Sequence, residues 1–244
     1  MLEARDLHKR YRRGAAEVTA LAGVTLSLEA GAFAMLVGPS GCGKSTLLHL
    51  CGAMDRPTAG EVRLEGCPLG ELDDDALTRL RRARVGFVFQ FFNLLPTLTV
   101  AENIALPLLL AGQDPREVAP RVRTWADRVG IGHRLDHLPA QLSGGEAQRT
   151  AIARAVVHEP ALLLADEPTG NLDSENGARI LDLLGDVNRQ SGATVLVATH
   201  DLAVAGAADR VLEMRDGRLV RDEPQSPVAS GQTAAVRQPA GSAP

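Results

Sequence analysis

An unbroken apolar run, Ala34-Met35-Leu36-Val37, leads directly into Gly38, Pro39, Ser40, Gly41, Cys42, Gly43, Lys44 and Ser45. The octet matches G-x-x-x-x-G-K-[ST] at every fixed position. Few sequence features restrict a fold so tightly, because the pattern needs a strand before it, a helix after it and a backbone in between that a Cβ would obstruct. Its glycines let the N–H groups turn inward on an anion. Lys44 supplies a point charge for outer phosphates, Ser45 a hydroxyl for Mg²⁺, and the helix continuing through Thr46 to Leu50 aims its positive end at the same spot. The expectation is a cradle for a nucleoside triphosphate on an open α/β sheet. The bland alternative is a glycine-rich turn ahead of a helix.

With 244 residues, the chain suits one large α/β domain or a domain carrying an inserted lobe. Aromatic residues make up 3% of it, so the core must be mostly Leu, Val and Ala. A formal charge of -4 gives no electrostatic reason to expect nucleic acid as partner. Cys42, Cys51 and Cys67 are odd in number and lack a C-x-x-C pair, which argues for a reduced compartment and against a disulfide framework or zinc site. The start, Met1-Leu2-Glu3-Ala4-Arg5, shows no apolar signal segment, and nowhere do about 20 apolar residues run together. Membrane spans, if any are served, are expected on another chain.

Residues 1–28 read as short strands, with strict alternation over Val24 to Leu28. Tyr11, flanked by Arg10, Arg12 and Arg13, reads locally as a rim residue on a basic loop. After the phosphate loop and its helix, Asp55 to Gly60 is turn chemistry and Glu61 to Leu64 a strand. Asp73, Asp74 and Asp75 open a helix that closes on Arg79, Arg81, Arg82 and Arg84, acid first and base last as the helix dipole favours. Val85 to Phe89 reads as a buried strand presenting Gln90 at its tip.

From Phe91 to Ala140 the pattern becomes helical, punctuated by Pro96, Pro107, Pro115, Pro120 and Pro139, and suggests an inserted lobe. Its apolar stretch Ile104 to Leu110 is either lobe core or a partly exposed groove for a partner. Ser143 and Glu146 have the spacing of a capping box around Gly144 and Gly145, at the start of a helix reaching His158. Ala161 to Ala165 is a buried parallel strand that delivers Asp166 and Glu167 at its C-terminal end. Beside a phosphate loop, Asp166 suits Mg²⁺ and Glu167 the orientation or deprotonation of a water; capping the next helix is the plainer use. Gly170 to Ser174 is a turn into a helix reaching Gln190. The strand Thr194 to Ala198 ends on Thr199 and His200, whose imidazole faces the same sheet edge. A hairpin around Asp216-Gly217 follows, and from about Glu223 to Pro244 the composition predicts a disordered tail.

In combination and in order, these motifs resemble the ATP-binding cassette (ABC) ATPases over Met1 to Asp222. The resemblance implies residues 1–222 as an α/β P-loop domain with an antiparallel β subdomain and a helical subdomain, about 91–160, inserted in a RecA-like core, with 223–244 as tail. It further implies head-to-tail pairing, with ATP between one copy's Gly38 to Thr46 segment and the other's Ser143, Gly144, Gly145 and Glu146. On matching positions, Tyr11 would stack on adenine. Gln90 would sense Mg²⁺ and the γ-phosphate alongside Ser45 and Asp166. Glu167 would be the base, Lys44 and His200 would hold the terminal phosphate, and Asp173 would bridge subunits. Glu146 departs from the Gln more usual there. Cys42 inside the loop suggests that alkylation would block nucleotide entry.

The stretch Phe89 to Leu108 and the segment Asp166 to Ser174 look like the LolD, MacB and FtsE group. That likeness implies an ATPase subunit on the cytoplasmic face of the membrane, gripped at the lobe near Phe91 to Leu110 by a permease that has a large extracytoplasmic region. An FtsE-like regulator that gates an envelope partner is the alternative, and a soluble ABC ATPase acting on DNA or ribosomes fits the length poorly.

Overall fold

The computed structural model describes residues 1–14, 16–201 and 208–224. The expected tail lies outside them from residue 225 onward. Ten strands and six α-helices are described: β1 Leu2–Arg13, β2 Ala16–Leu28, β3 Phe33–Val37, α1 Lys44–Cys51, β4 Ala59–Leu64, β5 Cys67–Pro68, α2 Asp74–Arg84, β6 Val85–Val88, α3 Val100–Leu110, α4 Pro115–Arg128, α5 Gly144–Val156, β7 Leu162–Asp166, α6 Ser174–Ser191, β8 Thr194–Thr199, β9 Arg210–Arg215 and β10 Arg218–Pro224. An antiparallel sheet runs β2-β1-β4-β5, and a six-stranded sheet runs β10-β9-β3-β8-β7-β6, parallel except for β10.

Strand β3 is buried along its whole length because both faces are covered. Period-2 alternation sends Phe33, Met35 and Val37 into a core shared with α3, α4, α5 and α6. Ala34 and Leu36 go into a second core shared with β1, β2, β4 and α1. The helix α1 therefore packs between the two sheets, and the phosphate loop preceding it is held from both sides.

β1 and β2 form one long ribbon where short strands were expected. Register shifts between Ala4 and Leu7, Leu7 and His8, and Lys9 and Arg10 explain the difference. Each shift resets the two-residue alternation, so only the Val24 to Leu28 stretch carries a readable period. Tyr11 consequently stands within a strand, and not on a loop. Pro107 and Pro120 also depart from expectation, lying inside α3 and α4 instead of ending them. A helix-interior proline costs about 3 kcal/mol. Buried Val100, Ile104 and Leu108 on the same helix return about 1.5–3 kcal/mol each, so packing wins. β10 runs two residues past the expected end, pairing Glu223 with Val211 and Pro224 with Arg210. It is an edge strand, where the missing proline N–H costs no ladder bond.

Candidate functional site

The site forms where four parallel strands end. Val37 of β3 is level with Thr199 of β8, and Asp166 of β7 with Ala198. The phosphate loop, Gln90, Asp166, Glu167 and His200 therefore emerge along one sheet edge, where open α/β sheets place their ligands.

Two glycines of the loop are obligatory. A Cβ on Gly38 would come within 2.2 Å of the Met214 carbonyl oxygen, and one on Gly43 within 2.4 Å of the Ala20 oxygen. Gly43 also has φ 107°, and it caps α1. A cleft of about 330 Å³ opens over the loop, walled by Val18, Thr19 and Ala20 of β2, by Ser40, Gly41 and Gly43 to Thr46, and by Gln90 and Glu167.

Lys44 is 5% exposed, yet its ammonium reaches Gly38 O at 2.7 Å and Pro39 O at 3.3 Å. It also lies 3.4 Å from Glu167 Oε1. The other carboxylate oxygen of Glu167 sits 2.8 Å from His200 Nδ1. Three residues drawn from α1, the end of β7 and the end of β8 thus share one carboxylate. Glu167 takes a left-handed backbone, φ 46°, held by its N–H donating to Ala198 O at 2.9 Å and its own carbonyl accepting from Gly170 N at 3.0 Å. Such geometry costs about 1–3 kcal/mol and is typical of functional positions.

Burial pushes the Asp166 carboxyl upward, against the Ser45 hydroxyl, which hydrogen-bonds it and favours the charged form. Its Oδ1 is buried without a hydrogen-bond partner among the described residues. An orphaned carboxylate oxygen beside a serine hydroxyl fits a hard divalent cation that keeps several non-protein oxygens. No group of three or more His, Cys, Asp or Glu is placed to hold a metal alone among the described residues, so phosphate oxygens or water would complete the shell.

The Ser143 segment does not line this cleft. Ser143 caps α5 in a full capping box with Glu146, and a Cβ on Gly144 would lie 3.2 Å from Leu172 Cδ2. Asp173 caps α6, its carboxylate accepting from Asn176 N at 2.9 Å and Asn176 Nδ2 at 2.6 Å. Within one chain, the starts of α5 and α6 therefore adjoin each other, and Ser143, Gly144, Gly145 and Asp173 are not among the residues that wall the cleft. Cys42 is 4% exposed and belongs to the core shared with α1, with its sulfur against Gly38. An alkylating reagent has to open the loop to reach it.

Several contacts were invisible in the sequence. Asn171 Nδ2 donates to Gln90 O at 2.7 Å, tying the tip of β6 to the turn after Glu167. Arg154 on α5 donates to Asn93 O at 2.6 Å and Phe92 O at 2.7 Å, two residues with positive φ. Arg134 Nε donates to Glu146 Oε1 at 2.8 Å. The Ser143 N–H, followed by Arg134, pulls the Glu146 pKa down from 4.5 to about 2. A lowered carboxyl adds stability above its unfolded value, and that stability disappears as pH falls from about 4.5 toward 2. Glu146→Gln keeps the capping geometry without the charge. Thermal melts should show a smaller drop from pH 5 to pH 3 in that variant than in the parent, and equal drops would remove this role for Glu146.

A family model described as ABC transporter matches residues 21–170. Among solved structures the chain is similar to a dimeric post-hydrolysis state of the ATP-binding cassette MJ0796 bound to ADP and Pi, at 41% identity, covering 92% of this chain and 98% of that one, with TM-score 0.85. A second dimeric MJ0796 structure, described as a bacterial ABC transporter cassette, is 42% identical with the same coverage, 92% and 98%, and the same TM-score, 0.85. The cbiO1 protein from Clostridium perfringens, part of the ABC transporter complex cbiONQ, is 29% identical, covering 91% of this chain and 88% of that one, with TM-score 0.82.

Proposed function

The chain belongs to the ABC transporter family as an ATP-binding, ATP-hydrolysing subunit, and on that premise we propose that it powers a separate membrane permease of the LolD and MacB type. The observation that carries the mechanism is the convergence of Lys44, Glu167 and His200 at the phosphate loop. The loop N–H groups and Lys44 bind the triphosphate, with Lys44 exchanging its carbonyl partners for phosphate oxygens. Glu167 accepts a proton from the attacking water, and His200, on the carboxylate's far side, orients Glu167 and reaches the terminal phosphate. Ser45, Asp166 and Gln90 would hold Mg²⁺, which when bound would neutralise phosphate charge. Tyr11 supplies the face for adenine.

Ser143, Gly144, Gly145 and Asp173 act on the ATP of a second copy. That none of them walls its own chain's cleft supports this, as does the dimeric state of the MJ0796 cassettes. Residues 1–222 form the cassette, with about 91–160 as its helical lobe.

Among the described residues no helix is long and apolar enough to cross a membrane, and the proposed permease is a separate chain. A groove of about 480 Å³ between α2, β6, α3 and α5 suits it, lined in part by Met54, Phe89, Leu106, Pro107 and Leu110. Within the stretch Ile104 to Leu110, Ile104, Ala105 and Leu108 are buried in the lobe core, while Leu110 is 60% exposed, which supports a partner groove at its end; Phe91 is 72% exposed. On this reading the subunit works as a peripheral protein on the cytoplasmic face.

Purification of the full chain from detergent-solubilised membranes should recover a permease with an extracytoplasmic domain. Leu110→Asp should lose it with ATP affinity unchanged. Equal recovery with the variant would move the docking site. If the permease's external domain binds an envelope hydrolase and ATP turnover moves no solute or lipoprotein, the FtsE-like role applies instead.

A further inference from the structure

Tyr11 is the chain's single tyrosine, and its ring is held at two places. Its hydroxyl donates to Asp55 Oδ2 at 3.0 Å and is within hydrogen-bonding reach of Thr46 in the first turn of α1. Lys9, two positions earlier on the same strand, places its ammonium 4.9 Å from the ring centroid. That ammonium also donates to Asp55 Oδ1 at 2.7 Å and to Arg56 O at 2.7 Å. Asp55 receives the Arg56 N–H as well, at 2.7 Å. One carboxylate therefore joins the turn after α1 to both the hydroxyl and the cation that covers one ring face.

The Lys9 side chain is only 12% exposed, so this cation is a fixed part of the fold and not a mobile surface group. A flat partner can stack only on the face that Lys9 leaves open. Burial pushes the Asp55 carboxyl up, but Lys9, the Arg56 N–H and Tyr11 outweigh it and leave it below its ordinary range. Burial and the bond to Asp55 raise the Tyr11 phenol in turn.

We propose that Asp55 and Lys9 are positioning residues for the nucleotide base: they immobilise Tyr11 before ATP arrives, so stacking does not have to pay for ordering the ring. The inference rests on the reading that Tyr11 faces adenine. Freed of Asp55, the ring would keep its area but lose its fixed orientation, and affinity for the base would fall while affinity for the phosphates would not.

The full chain offers a direct test, because its one tyrosine makes the ultraviolet tyrosinate signal report on this residue alone. ATP and inorganic tripolyphosphate affinities are measured for the parent and for Asp55→Asn, Lys9→Met, Tyr11→Phe and Tyr11→Ala. Tyr11→Phe removes only the hydroxyl, so it checks the link without disturbing the turn. Asp55→Asn, Lys9→Met and Tyr11→Phe should each weaken ATP about three- to tenfold and leave tripolyphosphate unchanged. Tyr11→Ala should weaken ATP about 5- to 100-fold. The tyrosinate midpoint should move to lower pH in Asp55→Asn. Loss with Tyr11→Ala but none with Asp55→Asn and Tyr11→Phe would overturn the positioning role and leave the base platform standing. No loss with Tyr11→Ala would overturn the platform and this inference together. Equal weakening of ATP and tripolyphosphate by Asp55→Asn would assign the residue to the fold alone.

Discussion

Glu167→Gln is expected to lower ATP turnover by about 10²–10⁴-fold while ATP still binds. The amide has the same shape, so the contacts 2.8 Å from His200 and 3.4 Å from Lys44 have a polar atom in place. It cannot take a proton from water. The variant should therefore stall after nucleotide binding, and with Mg²⁺ and ATP it should accumulate a dimer on size exclusion to a greater extent than the parent. Near-normal turnover would place the base on another residue.

Lys44→Ala should act one step earlier, weakening ATP itself on the order of 10²-fold, because truncating a buried charged partner typically costs 2–5 kcal/mol. The side chain is 5% exposed, so water cannot replace its ammonium easily, and the Gly38 and Pro39 carbonyls would lose their donor as well. Equilibrium titration with a fluorescent nucleotide reads the effect, and a melt of the free protein separates it from unfolding. Unchanged affinity with an intact fold would mean that the loop N–H groups suffice without the charge.

What could be read from residues alone was whatever is short-range. The octet from Gly38 to Ser45 is legible because its pattern is contiguous, although the atoms that forbid a Cβ on Gly38 and Gly43, Met214 O and Ala20 O, come from distant segments. The capping box of Ser143 and Glu146 spans three residues, and apolar β7 and β8 announce themselves by composition. Partnerships over long separations were not legible. Tyr11 and Asp55 are 44 positions apart, Arg154 and Phe92 62 apart. No local rule links such pairs; the two sheets and the helical segment bring them together. Pro107 and Pro120 illustrate the opposite limit, where a strong local preference is overruled by side chains packed around it.

The helix α5 connects two things otherwise unrelated. At its beginning Ser143 and Glu146 lock the Gly144-Gly145 turn, and near its end Arg154 grips the carbonyls of Phe92 and Asn93 beside the apolar groove. Eleven residues of α-helix separate those grips, about 16 Å of stiff rod. A stiff rod carries a displacement at the groove rim to its far tip, and that tip bears Gly144 and Gly145, which we propose face a neighbour's nucleotide.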